Sequence, residues 1–288
     1  MKVSKKVPLI VYSTLGLLIL VALLVLLGNL LNRGTIGGAD GPTGIIVGRD
    51  SSSRQQGGVL EGTYRYLGES AETYSIGVFD EYEIDIPYGE VTIRPAKDAE
   101  PSVRIESDLN IEMRIRADGN TGKIDFDMIG SHWFGSSRTR IDFCLPESRF
   151  HELELNLSAG TLDLSGITAD KLDIDVSAGK AEVSDCTFDE ISSDMAAGEL
   201  ILRTGDAVRK IDCDVTAGST KLYLPEDIGG FKLNYETTVG GFRDSTGLSL
   251  SGSESNELIG RKGRWTYGNE FCKIDLEVTA GELVLSTY

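Results

Sequence analysis

The sequence predicts an all-β protein: a solenoid-like stack of strand repeats, about 20 residues each, with an antiparallel layer, preceded by one transmembrane helix. Three observations predict it. An alternating apolar and polar pattern recurs around Ala-Gly pairs at a near-constant spacing. No segment after residue 58 shows a long apolar pattern at helical spacing. One uninterrupted apolar run stands near the N-terminus.

That run, residues 9–31, reads LIVYSTLGLLILVALLVLLGNLL and holds no charge. As a helix it reaches about 34 Å, enough for the ~30 Å hydrocarbon layer. Lys2, Lys5 and Lys6 precede it and Arg33 alone follows closely. The positive-inside rule then makes residues 1–8 cytoplasmic and everything after the span extracytoplasmic. The run exceeds the ~7–15 residues of a cleaved signal core, and no small-x-small site ends it, so it reads as an uncleaved signal anchor. No Cys follows it, which leaves lipoprotein processing without a target.

The span divides the charge. The chain has 28 basic and 45 acidic residues, a net charge of −17, and only three lysines of that total precede residue 33. Nearly all the negative charge is therefore on the exported side. Such a surface does not suit nucleic acid, which is recognised through basic faces. Residues 32–58 are rich in Gly, Ser, Thr and Asp, the chemistry of a linker. Residues 59–288 remain for the extracytoplasmic domain.

The repeats make that domain. LELNLSAGTLDLS, LDIDVSAGKAEVS, ISSDMAAGELILR, IDCDVTAGSTKLYL and IDLEVTAGELVLS pivot on Gly160, Gly179, Gly198, Gly218 and Gly281. The first four glycines are spaced by 19, 19 and 20 residues. Weaker copies surround Gly89 and Gly240. Seven, five and three residues before the glycine the pattern places Leu153, Leu155 and Leu157, and then Leu172, Ile174 and Val176. It continues with Ile191, Ser193 and Met195, with Ile211, Cys213 and Val215, and with Ile274, Leu276 and Val278. Two and four residues after the glycine stand Leu162 and Leu164, Ala181 and Val183, Leu200 and Leu202, Thr220 and Leu222, and Leu283 and Leu285. Period-2 alternation sends this whole set to one face. One unit is too short to bury it, so successive units must stack.

Two rival folds explain less. A leucine-rich repeat has a similar period but wants Asn where Ala-Gly stands. An antiparallel sandwich needs turns every ~8–12 residues and suits only residues 95–146. There ADGNTG reads as a hairpin turn between NIEMRIR and KIDFDMI. That region is expected to be an antiparallel layer at one end of the stack. Residues 240–268 read as a long Gly-rich loop before the last turn. The last turn ends at Tyr288 without a cap, which predicts an open sheet end and self-association through it.

Two resemblances join this reading. The sets Ser158-Ala159-Gly160, Ser177-Ala178-Gly179, Ala197-Gly198, Thr216-Ala217-Gly218 and Thr279-Ala280-Gly281 resemble the bacterial putative-adhesin family over residues 76–288. That resemblance implies β-strand repeats, often in membrane-anchored proteins, and brings no catalytic residues. The heptad GGADGPT at 37–43 resembles a motif of the β subunits of sodium-pumping decarboxylases, whose Asp lies on an ion path. One helix cannot enclose a conducting path, so transport is not carried over to Asp40. The heptad reads as a juxtamembrane turn or an assembly tag.

The outward positions carry acids. Six residues before the glycine stand Glu83, Glu154, Asp173, Asp212 and Asp275. Four before it stand Asp85, Asp175, Asp194, Asp214 and Glu277, with Asn156 interrupting. Stacked strands lie about 4.8 Å apart, so like charges face each other. Either this is a hydrated, solubilising face, or a cation relieves it. Ca²⁺ prefers carboxylate oxygens, and Asp173, Asp175, Asp194, Asp212 and Asp214 are its candidate ligands. No other cofactor is expected. Cys144, Cys186, Cys213 and Cys272 form no CxxC, and Cys186 and Cys213 occupy core positions, so free thiols are expected. His132, in the loop GSHWFG, reads as locally packed, and His151 as solvent-facing.

No nucleophile elbow, HExxH or P-loop is present. The expected function is non-catalytic: structural, adhesion-like or envelope-stress-sensing, with a protein or cell-envelope partner. The alternatives are a cell-wall polymer hydrolase using paired carboxylates, or an accessory subunit of a membrane complex.

Overall fold

The structure, a computed structural model, describes residues 61–288 apart from 69, 98, 130–137 and 258–259, and no side chain of 256–259. The expected cytoplasmic segment 1–8, span 9–31, linker 32–58 with its heptad, and the His132 loop lie outside the described residues. Among the described residues no helix is long and apolar enough to cross a membrane.

The strands follow in chain order. They are β1 (Gly62–Tyr66), β2 (Glu72–Ser75), β3 (Glu81–Ile86), β4 (Gly89–Pro95), β5 (Ser102–Ser107), β6 (Asn110–Asp118), β7 (Thr121–Ile129) and β8 (Thr139–Leu145). The longer ones are β9 (Phe150–Ser165), β10 (Ala169–Cys186), β11 (Glu190–Thr204), β12 (Lys210–Leu224), β13 (Gly230–Ser245) and β16 (Cys272–Thr287), with β14 (Ser251–Glu257) and β15 (Gly260–Gly268) between the last two. Each long strand contains one repeat and bends at its Ala-Gly pair, or in β13 at Val239-Gly240. The two arms of a strand bury their apolar sides in one common core. Ring contacts across the bend show the arms facing: Phe242 of the second arm of β13 stacks on Tyr235 of the first at 4.1 Å.

The repeats stack in parallel, with Gly160, Gly179, Gly198 and Gly218 in direct register and Gly281 beside Gly218. The requirement for glycine is steric at the bend. At Gly198, φ is +144°, and a Cβ there would lie 1.8 Å from the carbonyl oxygen of Gly179. Each bend therefore rests backbone on backbone, which no side chain permits. Every residue assigned above to the inward set is buried, including the hydroxyl-bearing Ser193 and Thr220.

The layer at the N-terminal end is as expected in place and mostly in direction. β6 and β7 form an antiparallel hairpin closed between Asp118 and Thr121. β7 then joins the stack by parallel pairing with β3, and β8 by parallel pairing with β4. β1 and β2 add antiparallel edges on β6 and β5.

Two expectations are corrected at the other end. β16 is not an open terminal turn: it pairs in parallel with β12 on one edge and β13 on the other. The premise for self-association through that turn is removed, because both its edges are already hydrogen-bonded. Residues 240–268 are not a loop. They complete the second arm of β13 and form the antiparallel β14–β15 hairpin, which caps the first arm of β13. Sequential repeats need not be spatial neighbours when a hairpin returns the chain to an inner slot.

All four cysteines are free. Burial pushes the Cys186 thiol up to about 11 and Cys272 up to about 12, and raises Cys213 as well. These are packed apolar side chains, not reactive thiolates.

Candidate functional site

The first arms present their polar side outward, and register sorts the acids into two columns. One column runs Glu83, Glu154, Asp173, Ser192, Asp212, Asp275, Asn234. The other runs Asp125, Asp85, Asn156, Asp175, Asp194, Asp214, Glu277, Glu236. The five candidate ligands therefore do not form one ladder. Asp175, Asp194 and Asp214 are consecutive. Asp173 and Asp212 lie in the neighbouring column, with Ser192 between them.

The columns differ in compensation. In the first, a lysine two residues upstream on the same face meets each of three acids: Lys171 at 3.4 Å from Asp173, Lys210 at 3.5 Å from Asp212 and Lys273 at 2.5 Å from Asp275. Lys123 pairs with Glu83 at 2.5 Å. In the second, the ends are paired: Arg116 bonds Asp125, and Lys262 lies 2.7 Å from Glu236. The middle has nothing of the kind. Asp175, Asp194, Asp214 and Glu277 make no ion pair among the described residues.

The second arms show that this is a local feature. There Lys180 meets Glu182 at 3.0 Å, Arg203 bonds Glu182, Lys221 lies 2.5 Å from Glu199, and Arg243 lies 2.9 Å from Glu282. Alternating signs neutralise that face, whereas the middle of the second column stays purely negative.

The electrostatics respond accordingly. Partial burial, followed by the charges of Asp194, Asp173 and Glu154, raises the Asp175 carboxyl. Partial burial, followed by Glu277, Asp194 and Asp212, raises Asp214. Partial burial likewise raises Asp85, against a hydrogen bond from Asn156. Asp275 resists the same burial because Lys273 and Asn234 hold it below the ordinary aspartate range. Arg114 lowers Glu112, and Arg203 and Lys180 lower Glu182.

A pH dependence follows. A carboxyl raised in the folded state binds its proton more tightly there, so it favours folding as pH falls through its folded value. A lowered carboxyl stabilises above its unfolded value and loses this as pH falls. Melting temperature is therefore expected to rise as pH falls through the raised carboxyls, and to fall below about 4, where the paired acids protonate. His151, raised by Asp170, adds in the same direction on the neutral side. The double change Asp175→Asn, Asp214→Asn is expected to remove the ladder's share of the rise. An unchanged profile in that variant would contradict this.

Toward β15 the two columns border a groove of about 750 Å³, which takes in Asp212, Asp214, Asp275, Glu277, Glu236 and Glu254, with Lys262 and Arg264 from β15. Glu236 and Asp125 are acidic column members that the glycine-based register did not assign. For Glu236 the signal was present, since it stands four residues before Gly240. The lysines two residues before Asp173, Asp212 and Asp275 stand in an equally legible pattern. Oxygen donors at one-rung spacing can coordinate Ca²⁺ or receive ammonium and guanidinium groups.

Residues 142–283 match the Toastrack DUF4097 family. Among solved structures, a putative cell adhesion protein from Clostridium sporogenes is 12% identical, with a TM-score of 0.50, over 76% of this chain and 99% of that one. A putative adhesin from Bacteroides fragilis is 10% identical, with a TM-score of 0.33, over 76% of this chain and 96% of that one. A putative lipid binding protein from Parabacteroides distasonis is 14% identical, with a TM-score of 0.30, over 76% and 97%. No curated protein matches the chain. The likeness to the Clostridium protein concerns the fold.

Proposed function

We propose that the chain is a membrane-anchored, non-catalytic binding protein whose β-stack, held outside the membrane by residues 9–31, engages a cationic ligand through Asp175, Asp194, Asp214 and Glu277. The ligand is Ca²⁺, or the cationic groups of an envelope partner. The observation that carries this is the contrast between columns: neighbouring acids on the same strands each have a lysine, and these four have none. Like charges facing across a ladder cost stability, so a bound cation gains affinity from relieving them. The name of the Clostridium relative, a putative cell adhesion protein, agrees with a binding role. The apolar run and its upstream lysines support the anchoring.

Titration calorimetry of the detergent-solubilised full chain tests the reading with two probes, Ca²⁺ and oligolysine. Saturable binding of at least one is expected, weakened tenfold or more by Asp175→Asn, Asp194→Asn and Asp214→Asn together. Binding of neither probe, or equal binding to the variant, would overturn it. The two probes separate a calcium site from a surface for basic partners, because only the first survives high salt.

A further inference from the structure

A second cluster lies at the start of β9, away from the middle of the ladder. Strand alternation breaks there: Phe150 and Leu153 are both buried. The extra residue is absorbed because the Asp80 carbonyl accepts from two successive amides, His151 N at 2.7 Å and Glu152 N at 3.4 Å. A bulge of this kind re-aims side chains. It brings the exposed His151 imidazole beside Glu152 and beside Glu81, the register partner of Glu152 on β3. One donor atom from each of Glu81, His151 and Glu152 lies within 4.8 Å of the others.

The same shared acceptor recurs at Asp189, where it receives from Arg209 and Lys210. There the bulge presents two cations. At β9 alone among these two it presents an imidazole and a carboxylate facing a second carboxylate.

Each of the three groups is oriented from behind. Asp170 Oδ2 lies 3.1 Å from His151 Nδ1, and Arg149 lies 2.5 Å from Asp170 Oδ1. The Thr121 hydroxyl donates to Glu81 Oε2 at 2.6 Å, and Lys171 donates to Glu152 Oε1. With Nδ1 turned to Asp170, Nε2 is the imidazole nitrogen left for a ligand. A carboxylate behind a histidine is the arrangement that orients metal-binding imidazoles.

We propose that Glu81, His151 and Glu152 bind a divalent transition-metal ion of the zinc class, with Asp170 as positioning residue. The imidazole selects zinc, cobalt or nickel over calcium and magnesium, which take all-oxygen sets. Three protein donors leave a fourth position to water. The proposal is independent of the acidic ladder.

The test is titration of the detergent-solubilised full chain with Co²⁺, read by its visible absorption, followed by displacement with Zn²⁺. One saturable site is expected. His151→Gln should weaken it at least tenfold, and Asp170→Asn roughly 10–100-fold. His132→Gln should leave it unchanged. Absence of saturable binding at millimolar Co²⁺ would overturn the proposal, as would binding that survives His151→Gln. Should a variant fail to fold, the imidazole resonances of the unmodified chain decide: His151 must shift on adding Zn²⁺, and an unmoved His151 refutes the site.

Discussion

Gly198→Ala is expected to abolish folding of the β-stack. The added methyl would meet the Gly179 carbonyl oxygen at 1.8 Å, and the backbone at Gly198 holds φ at +144°, where an L side chain is strained. Neither the oxygen nor the glycine behind it can retreat, because Gly179 makes the same contact with Gly160. Overlap and strain together should cost more than about 4 kcal/mol, against a total of about 5–15 kcal/mol for a domain. Gly241→Ala is the control. It adjoins another bend glycine, Gly240, yet a Cβ there would meet nothing within 4 Å. Its effect should stay within about 0.5 kcal/mol. Circular dichroism and thermal melting of the two variants check this. A cooperative melt of Gly198→Ala near the unmodified temperature would show that the bends do not pack backbone on backbone.

Deleting residues 272–288 is the second large effect. A C-terminal repeat at an open end could be removed with local damage only. β16 instead fills the slot between β12 and β13. Its loss takes Cys272, Ile274, Leu276, Val278, Leu283 and Leu285 out of the core. At about 1.5–3 kcal/mol for each fully buried aliphatic side chain, the loss exceeds the ordinary stability of a domain. It also leaves β13 with β15 as its sole strand partner. The truncated chain is expected to lose its cooperative melt and to become protease-sensitive. A truncated chain that remains folded and melts cooperatively would contradict the β12–β16–β13 order.

What the sequence made legible was local. The inward set could be read residue by residue because strand period and repeat period agree, so one register assignment fixed both arms. The pivot glycines were legible for the same reason. Spatial order was not: nothing in IDLEVTAGELVLS distinguishes a terminal rung from an inner one. That order depends on the β14–β15 hairpin, whose Ser- and Gly-rich strands lack alternating apolar residues because one side packs weakly. Lys262 and Arg264 there read as loop charges and only the fold brings them to the groove. For the candidate site, the columns were legible and their compensation was not read. Lys171, Lys210 and Lys273 neutralise only the column two residues away, which separates Asp173 and Asp212 from Asp175, Asp194 and Asp214. The His151 cluster was hidden more deeply, since it needs a bulge at β9 and a partner on β3 separated from it by a whole inserted layer.

The claim that unites fold and function is that Asp175, Asp194, Asp214 and Glu277 form an uncompensated column which a cation relieves. The melting temperature of the full chain at neutral pH, with and without millimolar Ca²⁺, tests it beside the variant carrying Asp175→Asn, Asp194→Asn and Asp214→Asn. The variant should melt higher than the unmodified chain without Ca²⁺, and Ca²⁺ should raise only the unmodified chain. A variant that melts lower, together with no Ca²⁺ shift in either protein, would show that the column is simply a hydrated face.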